Sequence, residues 1–321
     1  QGGTVTGRFS MSNPNLQQIP SKGFIGKKMR ELFIPDEGCH WGSFDYSQQE
    51  PRIVVHYALK IYLEREPNPD DEPLPLNLIE SLEKIEEAYH DDKYVDFHQA
   101  VADMAQISRT MAKTINLGLF YGMGKIKLAN ELNLSRADAE VLFNTYHENA
   151  PFVRRLSQDL IQFAEANKLL FTLHDRFCRF NKWETRDRKW NDDIKRFEPV
   201  PILTEEEAKT AFKAELLEKY KGKVVDNYMK DFKYNYKPAF TYKALNRLIQ
   251  GSAADMTKKA MVQLYERGIL PQIQIHDELC LSIKDDKQKE TIKNVMEKSL
   301  PLLIKNKVNC LTGSSWGDCK K

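Results

Sequence analysis

The chain has 321 residues, which is enough to bury a substantial core in one large domain or two closely joined ones. Its 48 basic and 46 acidic residues leave a net charge of only +2, so the bulk charge neither indicates nor excludes binding to nucleic acid. The apolar runs fall well short of the roughly 18 residues of a membrane-spanning helix. Five cysteines without C-x-x-C spacing indicate reduced thiols in a cytosol-like compartment rather than a disulfide framework.

The first informative pattern is a short strand that ends in an acid. Residues 1–35 are predicted to form a strand, a loop punctuated by Asn and Pro, and a second strand. A further strand is predicted to end at Asp45, and Ser47 is placed to cap a helix whose first turn holds Pro51. An acid at the carboxyl end of a strand lies where sheet proteins often bind ligands, although for Asp45 alone a capping or salt-bridged structural role is at least as good an interpretation.

A helix with a charged stripe is predicted farther along the chain. Arg109, Lys113, Leu117 and Tyr121 recur at intervals of four residues, which places them along one side of a helix. Two cations followed by an apolar and an aromatic side chain suit a ligand with a polyphosphate at one end and a flat base at the other. Taken alone, the stripe is more often an amphipathic helix with its cations in water.

Two charged segments around this stripe have the composition of insertions. Residues 64–77 are rich in proline and acid, and a helix is predicted to follow them. Residues 174–240 interleave Trp183 and Trp190 with lysine and arginine, a pattern that can bind nucleic acid by stacking and phosphate contact. A solvated insertion with one capped helix starting at Thr204 is the commoner outcome for such a stretch.

The C-terminal part of the chain predicts a helix followed by a hairpin. Residues 242–265 carry small side chains on one face, as in a closely packed helix. In residues 272–283 apolar and polar residues alternate on either side of His276, Asp277 and Glu278, which predicts a β-hairpin with these three residues at its tip. A helix over 287–303 and a last strand within 308–316 complete the chain.

If the strands that end at Asp45 and near Asp277 share a sheet, their carboxylates can face each other. Two carboxylates suit Mg²⁺, which prefers a few hard oxygen ligands together with substrate phosphates. Two metal ions about 3.5–4 Å apart stabilise both the attacking and the leaving oxygen of a phosphoryl transfer. The cationic stripe would then bind the departing phosphates.

In their order these motifs resemble family A DNA polymerases, the DNA polymerase I type, over essentially the whole chain. The resemblance implies an α+β right-hand polymerase fold with an antiparallel-sheet palm and a helical fingers subdomain. It assigns 1–60 and 241–321 to the palm, and 61–240 to fingers with insertions at about 64–92 and 180–238. The matching segments are 6–8 with 14–20 (palm opening), 45–52 (motif A), 109–121 (motif B), 276–278 (motif C), and Asn246 with 250–255.

The resemblance also implies a role for each site residue. Asp45 and Asp277 would hold two Mg²⁺ ions, for which Mn²⁺ could substitute, with the Tyr46 carbonyl as a further ligand. Lys113 would donate a proton to the leaving pyrophosphate, and Glu278 would assist near the metals. Glu50 would close the space needed by a ribose 2′-hydroxyl. The nucleotide contacts would be Arg109, Lys113, Leu117, Tyr121, His98, Glu50, Gln48 and Tyr46, and the DNA contacts Arg8, Asn15, Gln17, Asn246, Gln250 and His276.

The expected activity is template-directed addition of dNMP to a primer 3′-hydroxyl in replication or repair. The expected partners are primer-template DNA, dNTPs and replication accessory proteins, and no membrane is expected to be involved. The expected location is the cytoplasm of a bacterial or phage-infected cell, with an organelle as the alternative. Because the chain begins at Gln1 and almost nothing precedes the palm motif, the thumb and exonuclease domain are expected to be absent from it and to lie upstream or in a separate polypeptide.

Several positions depart from the family pattern. Leu117 stands where a stacking Phe or Tyr is usual, Gln49 and Pro51 replace aliphatic residues, and Tyr242 replaces a common arginine. These changes and the insertions resemble those of phage or viral members of the family more than those of bacterial repair enzymes. Two alternatives remain: a single-subunit RNA polymerase, against which Glu50 and the Asp277–Glu278 pair argue, and a non-catalytic DNA-binding subunit, against which the intact chemical residues argue.

Overall fold

The computed structural model describes residues 2–20, 23–64, 73–90, 98–99, 102–103, 107–120, 123–191, 196–220 and 226–319. Within these ranges helices alternate with antiparallel strands, which confirms the α+β class. No helix in the described ranges is long and apolar enough to span a membrane.

The helices are α1 (Gly23–Glu31), α2 (Gln49–Tyr62), α3 (Leu76–His90), α4 (Arg109–Phe120), α5 (Lys125–Leu132), α6 (Arg136–Asn149), α7 (Pro151–Asn167), α8 (Glu205–Lys219), α9 (Phe232–Asn235), α10 (Ala244–Tyr265) and α11 (Asp286–Lys298).

The strands are mostly short, and one sheet dominates the fold. It has four strands in the order β10-β11-β3-β12, and every neighbouring pair is antiparallel. The remaining strands form two-stranded ladders. The strands are β1 (Gly2–Gly3), β2 (Phe9–Ser10), β3 (His40–Tyr46), β4 (Leu169–Phe171), β5 (Phe177–Arg179), β6 (Trp183–Thr185), β7 (Trp190–Asn191), β8 (Arg196–Phe197), β9 (Tyr236–Pro238), β10 (Ile273–Ile275), β11 (Glu278–Ile283) and β12 (Val308–Gly313).

The register of the four-stranded sheet brings the strands that lead to Asp45 and Asp277 together, which meets the condition set in the sequence analysis. Asp45 of β3 lies directly opposite Glu278 of β11 and, on its other side, opposite Asn309 of β12. Because side chains alternate along a strand, Phe44 and Tyr46 point to one face of the sheet and Asp45 to the other. Asp45 therefore lies at the sheet end where β10 turns into β11.

The two faces of this sheet are buried by different elements. Phe44 and Leu279 belong to the main core, which also includes Ile53 of α2, Ile115 of α4 and Leu248 of α10. The opposite face packs around a smaller cluster of Trp41, Ile273, Ile275, Cys280 and Trp316. The end of this second face that carries Asp45 remains part of an open cleft.

The start of α2 differs from the sequence prediction. Ser47 does not cap the helix; the residue at that position is Gln48, whose φ of 54° lies in the left-handed region and whose side chain makes no capping hydrogen bond. The backbone N–H of Ser47 instead donates to the Lys307 carbonyl at 2.8 Å. The prediction is wrong because this long-range contact ties Ser47 to the segment before β12 and moves the helix start by one residue.

The N-terminal segment also differs from its prediction. Where a second strand was expected before residue 35, residues Gly23–Glu31 form α1. Lys27 and Lys28 both pair with Glu31 along one side of this helix, and the Arg30 guanidinium lies 4.0 Å from the centroid of the Trp316 ring. Side-chain pairs three and four residues apart support helix, and the contact with Trp316 anchors it.

The described residues between 180 and 238 form a small module with its own core. Strands β6 and β9 pair antiparallel and close its base, and Trp183, Phe212, Phe232 and Tyr236 form a separate buried cluster. The predicted capping box is confirmed, since Thr204 and Glu207 bond reciprocally at the start of α8. Trp183 is thus a core residue with 3% exposure, whereas Trp190 is 45% exposed.

Candidate active site

The centre of the site is the pair of carboxylates on Asp45 and Asp277. Asp277 lies in the turn between β10 and β11, and the backbone N–H of Tyr46 donates to its carbonyl oxygen at 3.3 Å. Burial and the neighbouring Asp45 carboxylate raise the pKa of Asp277 to about 7. The buried Asp277 carboxylate and the half-buried Asp45 carboxylate repel each other, and a cation beside both would relieve that repulsion.

The donor atoms at this end of the sheet are oxygens of the kind that Mg²⁺ prefers. Asp45 and Asp277 supply carboxylates, and the Tyr46 carbonyl is the nearest backbone oxygen in sequence. In the described ranges, no three His, Cys, Asp or Glu side chains are grouped closely enough to enclose a metal by themselves. An open site with these three oxygen donors therefore fits a hard cation that takes its other ligands from water and phosphate.

Glu278 is held beside this pair by three donors. Its Oε1 accepts hydrogen bonds from Ser43 Oγ at 2.5 Å, Cys280 Sγ at 3.2 Å and Trp316 Nε1 at 3.4 Å. These donors lie on the same sheet face as Asp45. The arrangement fixes one carboxylate oxygen of Glu278 against the sheet.

A chain of amides supports the turn that carries Asp277. Gln17 Nε2 donates to the carbonyl and to Oε1 of Gln274, at 3.4 and 3.2 Å, and Gln274 Nε2 donates to the His276 carbonyl at 2.7 Å. His276 has a φ of 54°, which is unusual for a residue with a side chain. The cleft around this turn is lined by Gln17, Ile19, Arg30, Ser43, Asp45, Ile275, His276, Asp277, Glu278, Leu311, Trp316 and Cys319.

Arg8 and Glu50 form an ion pair next to the carboxylates. Arg8 Nη2 lies 2.5 Å from Glu50 Oε1, with both side chains mostly buried. Both charges affect Asp277, since Arg8 lowers its pKa and Glu50 raises it. The structure thus brings Arg8, predicted to contact DNA, together with Glu50, predicted to contact the nucleotide sugar, at the motif A end of the site.

Helix α4 turns one face to the core and the other to solvent. Ala112 and Ile115 are fully buried in the main core, whereas Arg109 and Lys113 are exposed and Leu117 is half-buried. The cationic half of the predicted stripe therefore lies on the accessible side of the helix. Tyr121, the last member of the stripe, lies outside the described residues.

His98 packs against the same helix. It is 6% exposed, and its Nδ1 lies 2.9 Å from Nδ2 of the buried Asn116. Its phosphate contact remains a prediction, and the observed role is to support α4 just before Leu117.

Several other predicted contact residues also have defined structural partners. The Asn15 side chain accepts a hydrogen bond from the Gln17 backbone, and Gln48 Oε1 lies 3.5 Å from the Tyr89 hydroxyl. The Tyr46 hydroxyl donates to the Met296 carbonyl at 2.7 Å in the core, so only the backbone of Tyr46 is available to the carboxylate pair. Asn246 and Gln250 lie half-buried on α10.

Three residues at or near the site were not predicted from sequence. Ser43 bonds Glu278, Gln274 bonds the turn, and Arg176 contacts the segment that carries Arg8. Sequence position could have indicated two of them. Ser43 lies two residues before Asp45 and Gln274 three residues before Asp277, each on a predicted strand. Arg176 has no such signal, since its partners are far away in the chain.

The sequence model of DNA polymerase family A matches residues 1–318. A DNA-directed DNA polymerase of Pseudomonas phage M6 is 36% identical over 98% of this chain and 44% of the relative, in line with the expected phage-like character. DNA polymerase I of Caldicellulosiruptor bescii is 29% identical over 100% of this chain and 32% of its own length.

The fold has a counterpart among solved structures. The POL domain of Pol1 from M. smegmatis, in complex with DNA primer-template and dNTP, superposes with a TM-score of 0.66 at 24% identity, over 98% of this chain and 47% of that chain. This similarity supports the right-hand polymerase fold. The chain spans less than half the length of the relatives named here. Because the family match extends over nearly all of its residues, the chain belongs to DNA polymerase family A.

Proposed function

We propose that this chain is the catalytic core of a template-directed DNA polymerase, which adds dNMP to a primer 3′-hydroxyl and releases pyrophosphate. The observation that carries the proposal is the antiparallel pairing of β3 with β11, which brings Asp45 next to the turn that holds Asp277. Membership of the family supports it, as does similarity to a domain solved with primer-template and dNTP.

The carboxylate pair is the proposed metal site. Asp45, Asp277 and the Tyr46 carbonyl would hold Mg²⁺, or Mn²⁺ in its place, as two ions. Bound there, the ions would stabilise the attacking and leaving oxygens of the transfer. The raised pKa of Asp277 supports this assignment, because desolvated paired carboxylates are costly unless a cation offsets them.

The remaining residues would bind and orient the two substrates. The exposed Arg109 and Lys113 would hold the triphosphate, with Lys113 as the proton donor to the leaving oxygen. Glu50 would contact the sugar and select deoxyribose. The partners would be primer-template DNA, dNTPs, a thumb and exonuclease segment and accessory proteins, in the cytoplasm of a bacterial or phage-infected cell.

Templated primer extension tests this proposal. Four primer-templates that differ only in the first unpaired base would each be offered single dNTPs or rNTPs with Mg²⁺, with and without a thumb and exonuclease segment. The proposal predicts addition of the complementary dNMP on each template. Preferential use of rNTPs would favour the RNA polymerase alternative, and binding without extension in every arm would favour the non-catalytic subunit.

Leu117→Phe is expected to tighten nucleotide binding. Leu117 is half-buried at the position where family members usually carry a stacking ring, so leucine offers apolar surface without a π-face. Base–aromatic stacking is worth about 1–3 kcal/mol, so the apparent Kd for dNTP should fall by roughly fivefold or more. Pre-steady-state incorporation at varied dNTP measures it, and an unchanged Kd and rate would contradict the assigned position.

Glu278→Gln is expected to have a smaller effect than a change at either aspartate. The glutamine Oε1 can accept the same hydrogen bonds from Ser43 and Trp316 that hold Glu278 in place. We expect the rate of dNMP addition to fall by about tenfold or less, roughly the factor of a single modest interaction. A loss as large as that of Asp277→Asn in the same single-turnover assay would instead make Glu278 an essential ligand.

A further inference from the structure

The guanidinium of Arg176 joins its own hairpin to two distant segments of the chain, α10 and the N-terminal segment. Its Nε donates to Asp255 Oδ1 at 2.9 Å, and its Nη2 donates to the carbonyls of Thr6 at 2.9 Å and Gly251 at 3.0 Å. Asp255 is 6% exposed and also accepts a bond from the Thr172 hydroxyl. A planar guanidinium with several fixed acceptors has little freedom to move, so Arg176 is rigidly placed between α10 and the N-terminal segment.

The backbone on both sides leaves room for this guanidinium. Gly7 has a φ of +83°, and a Cβ at that position would lie 2.7 Å from Arg176 Cζ. A Cβ on Gly251 would lie 2.8 Å from Thr172 Cγ2 and 3.1 Å from Arg176 Nη2. Side chains at these positions would displace the arginine or the backbone, so the two glycines and Arg176 form one packed unit.

This unit contacts the turn that ends at Arg8, the residue that pairs with Glu50. The Thr4 N–H donates to the Arg8 carbonyl at 3.0 Å and the Gly7 N–H donates to the Thr4 carbonyl at 2.9 Å, so residues 4–8 form a closed turn. Arg176 holds this turn through Thr6. Arg8, at its end, reaches Glu50 with 2.5 Å between the charged atoms.

We propose that Arg176 is a positioning residue for sugar selection. By holding the turn over residues 4–8 it sets the place of the Arg8 guanidinium, and Arg8 in turn holds the Glu50 carboxylate. This inference rests on the proposed function, because the position of Glu50 matters to sugar selection only if a nucleotide sugar binds beside it. Mobile ion pairs between long side chains contribute little, so the anchored turn gives Arg8 the fixed geometry that steric exclusion of a 2′-hydroxyl needs.

The test compares Arg176→Met with Arg179→Met. Arg179 lies on the same hairpin, but its guanidinium is on the exposed side over the Phe177 ring at 4.2 Å. The readout is the ratio of kcat/KM for dNTP to kcat/KM for rNTP. Arg176→Met is expected to lower this ratio about tenfold, the factor of one lost charge-assisted contact, and Arg179→Met to leave it within about twofold.

Two further variants separate positioning from general destabilisation. Combined with Arg8→Met, Arg176→Met should lower the ratio no further, because both act through the same contact. If Arg176→Met does not fold, Arg176→Lys keeps the positive charge but has a single nitrogen in place of the planar fork that joins Asp255, Thr6 and Gly251, and it should show the same loss of selectivity. Equal loss of dNTP and rNTP use, or an unchanged ratio in a folded Arg176 variant, would overturn the inference. Failure of the wild-type chain to extend any primer would instead overturn the proposed function.

Discussion

Replacing Asp277 with Asn is expected to lower dNMP addition by about a thousandfold or more while leaving the fold intact. Asparagine keeps the shape of the side chain but removes one of the two negative charges that would bind the metal ions, and preorganised electrostatic contacts of this kind commonly contribute factors of about 10²–10³ or more. Single-turnover primer extension at saturating DNA measures the loss. The matched control is Asp36→Asn, at an exposed acid in the loop before β3, which should change the rate by less than about twofold.

The same substitution should raise stability at neutral pH in the absence of divalent ions. Because the pKa of Asp277 is raised in the folded state, folded protein holds more protons than unfolded protein between about pH 4 and pH 7. The contribution of Asp277 to the free energy of unfolding is therefore fully present below about pH 4 and is lost as the pH rises towards 7. Asp277→Asn removes this loss, so its Tm in EDTA should exceed that of the wild type near pH 7.5 and approach it near pH 4. A lower Tm at both pH values would show that the carboxylate has a structural role.

Added Mg²⁺ provides the complementary result. An ion that binds only the folded state raises its stability in proportion to the logarithm of its concentration above Kd. The wild type should therefore gain Tm on addition of Mg²⁺, and Asp277→Asn should gain much less. Equal gains in both proteins would place the ions elsewhere.

Lys113→Leu is expected to have the second largest effect, a fall of about 10²–10⁴ in the rate of the chemical step. Lys113 is exposed on α4, one turn after Arg109, which suits an ammonium that both binds a phosphate and donates a proton to it. Lys113→Arg keeps the charge but hardly releases a proton at working pH, so it should restore nucleotide affinity without restoring the rate.

The control for this prediction is Lys127→Leu. Lys127 is also exposed, on the following helix α5, and its loss should leave the single-turnover rate within about twofold. Full activity of Lys113→Arg would show that charge alone matters and would remove Lys113 from the role of general acid. Full activity of Lys113→Leu would remove it from the site.

The two strands that lead to Asp45 and Asp277 could be predicted because local patterns define each of them. Alternation of apolar and polar residues identifies the strands that carry Asp45 and Asp277, and the tight turn fixes where the hairpin reverses. The pairing register then follows from the need to bury Phe44 and Leu279 on the same face. The strand and turn signals are short-range, and the structure agrees with them. The pairing of β3 with β11 joins distant parts of the chain and was only a condition of the sequence argument.

The supporting contacts could not be predicted in the same way. Ser47 looks like a helix cap, but a hydrogen bond to Lys307, far along the chain, decides its backbone. Arg176 contacts Thr6 across 170 residues of sequence, and no local pattern at either position indicates the other. The module over 180–238 was expected to be mainly solvated, yet Trp183 and Phe212 form a core that depends on pairing between β6 and β9.

The most direct measurement is single-turnover addition of one complementary dNMP to a primer-template, with Mg²⁺, by the wild type, Asp45→Asn and Asp277→Asn at equal DNA occupancy. The central claim is that the sheet brings these two carboxylates together as one metal-binding unit. It predicts that each single variant loses nearly all activity and that the double variant is little worse than either one. Substantial activity in either single variant, or losses that multiply in the double variant, would contradict it.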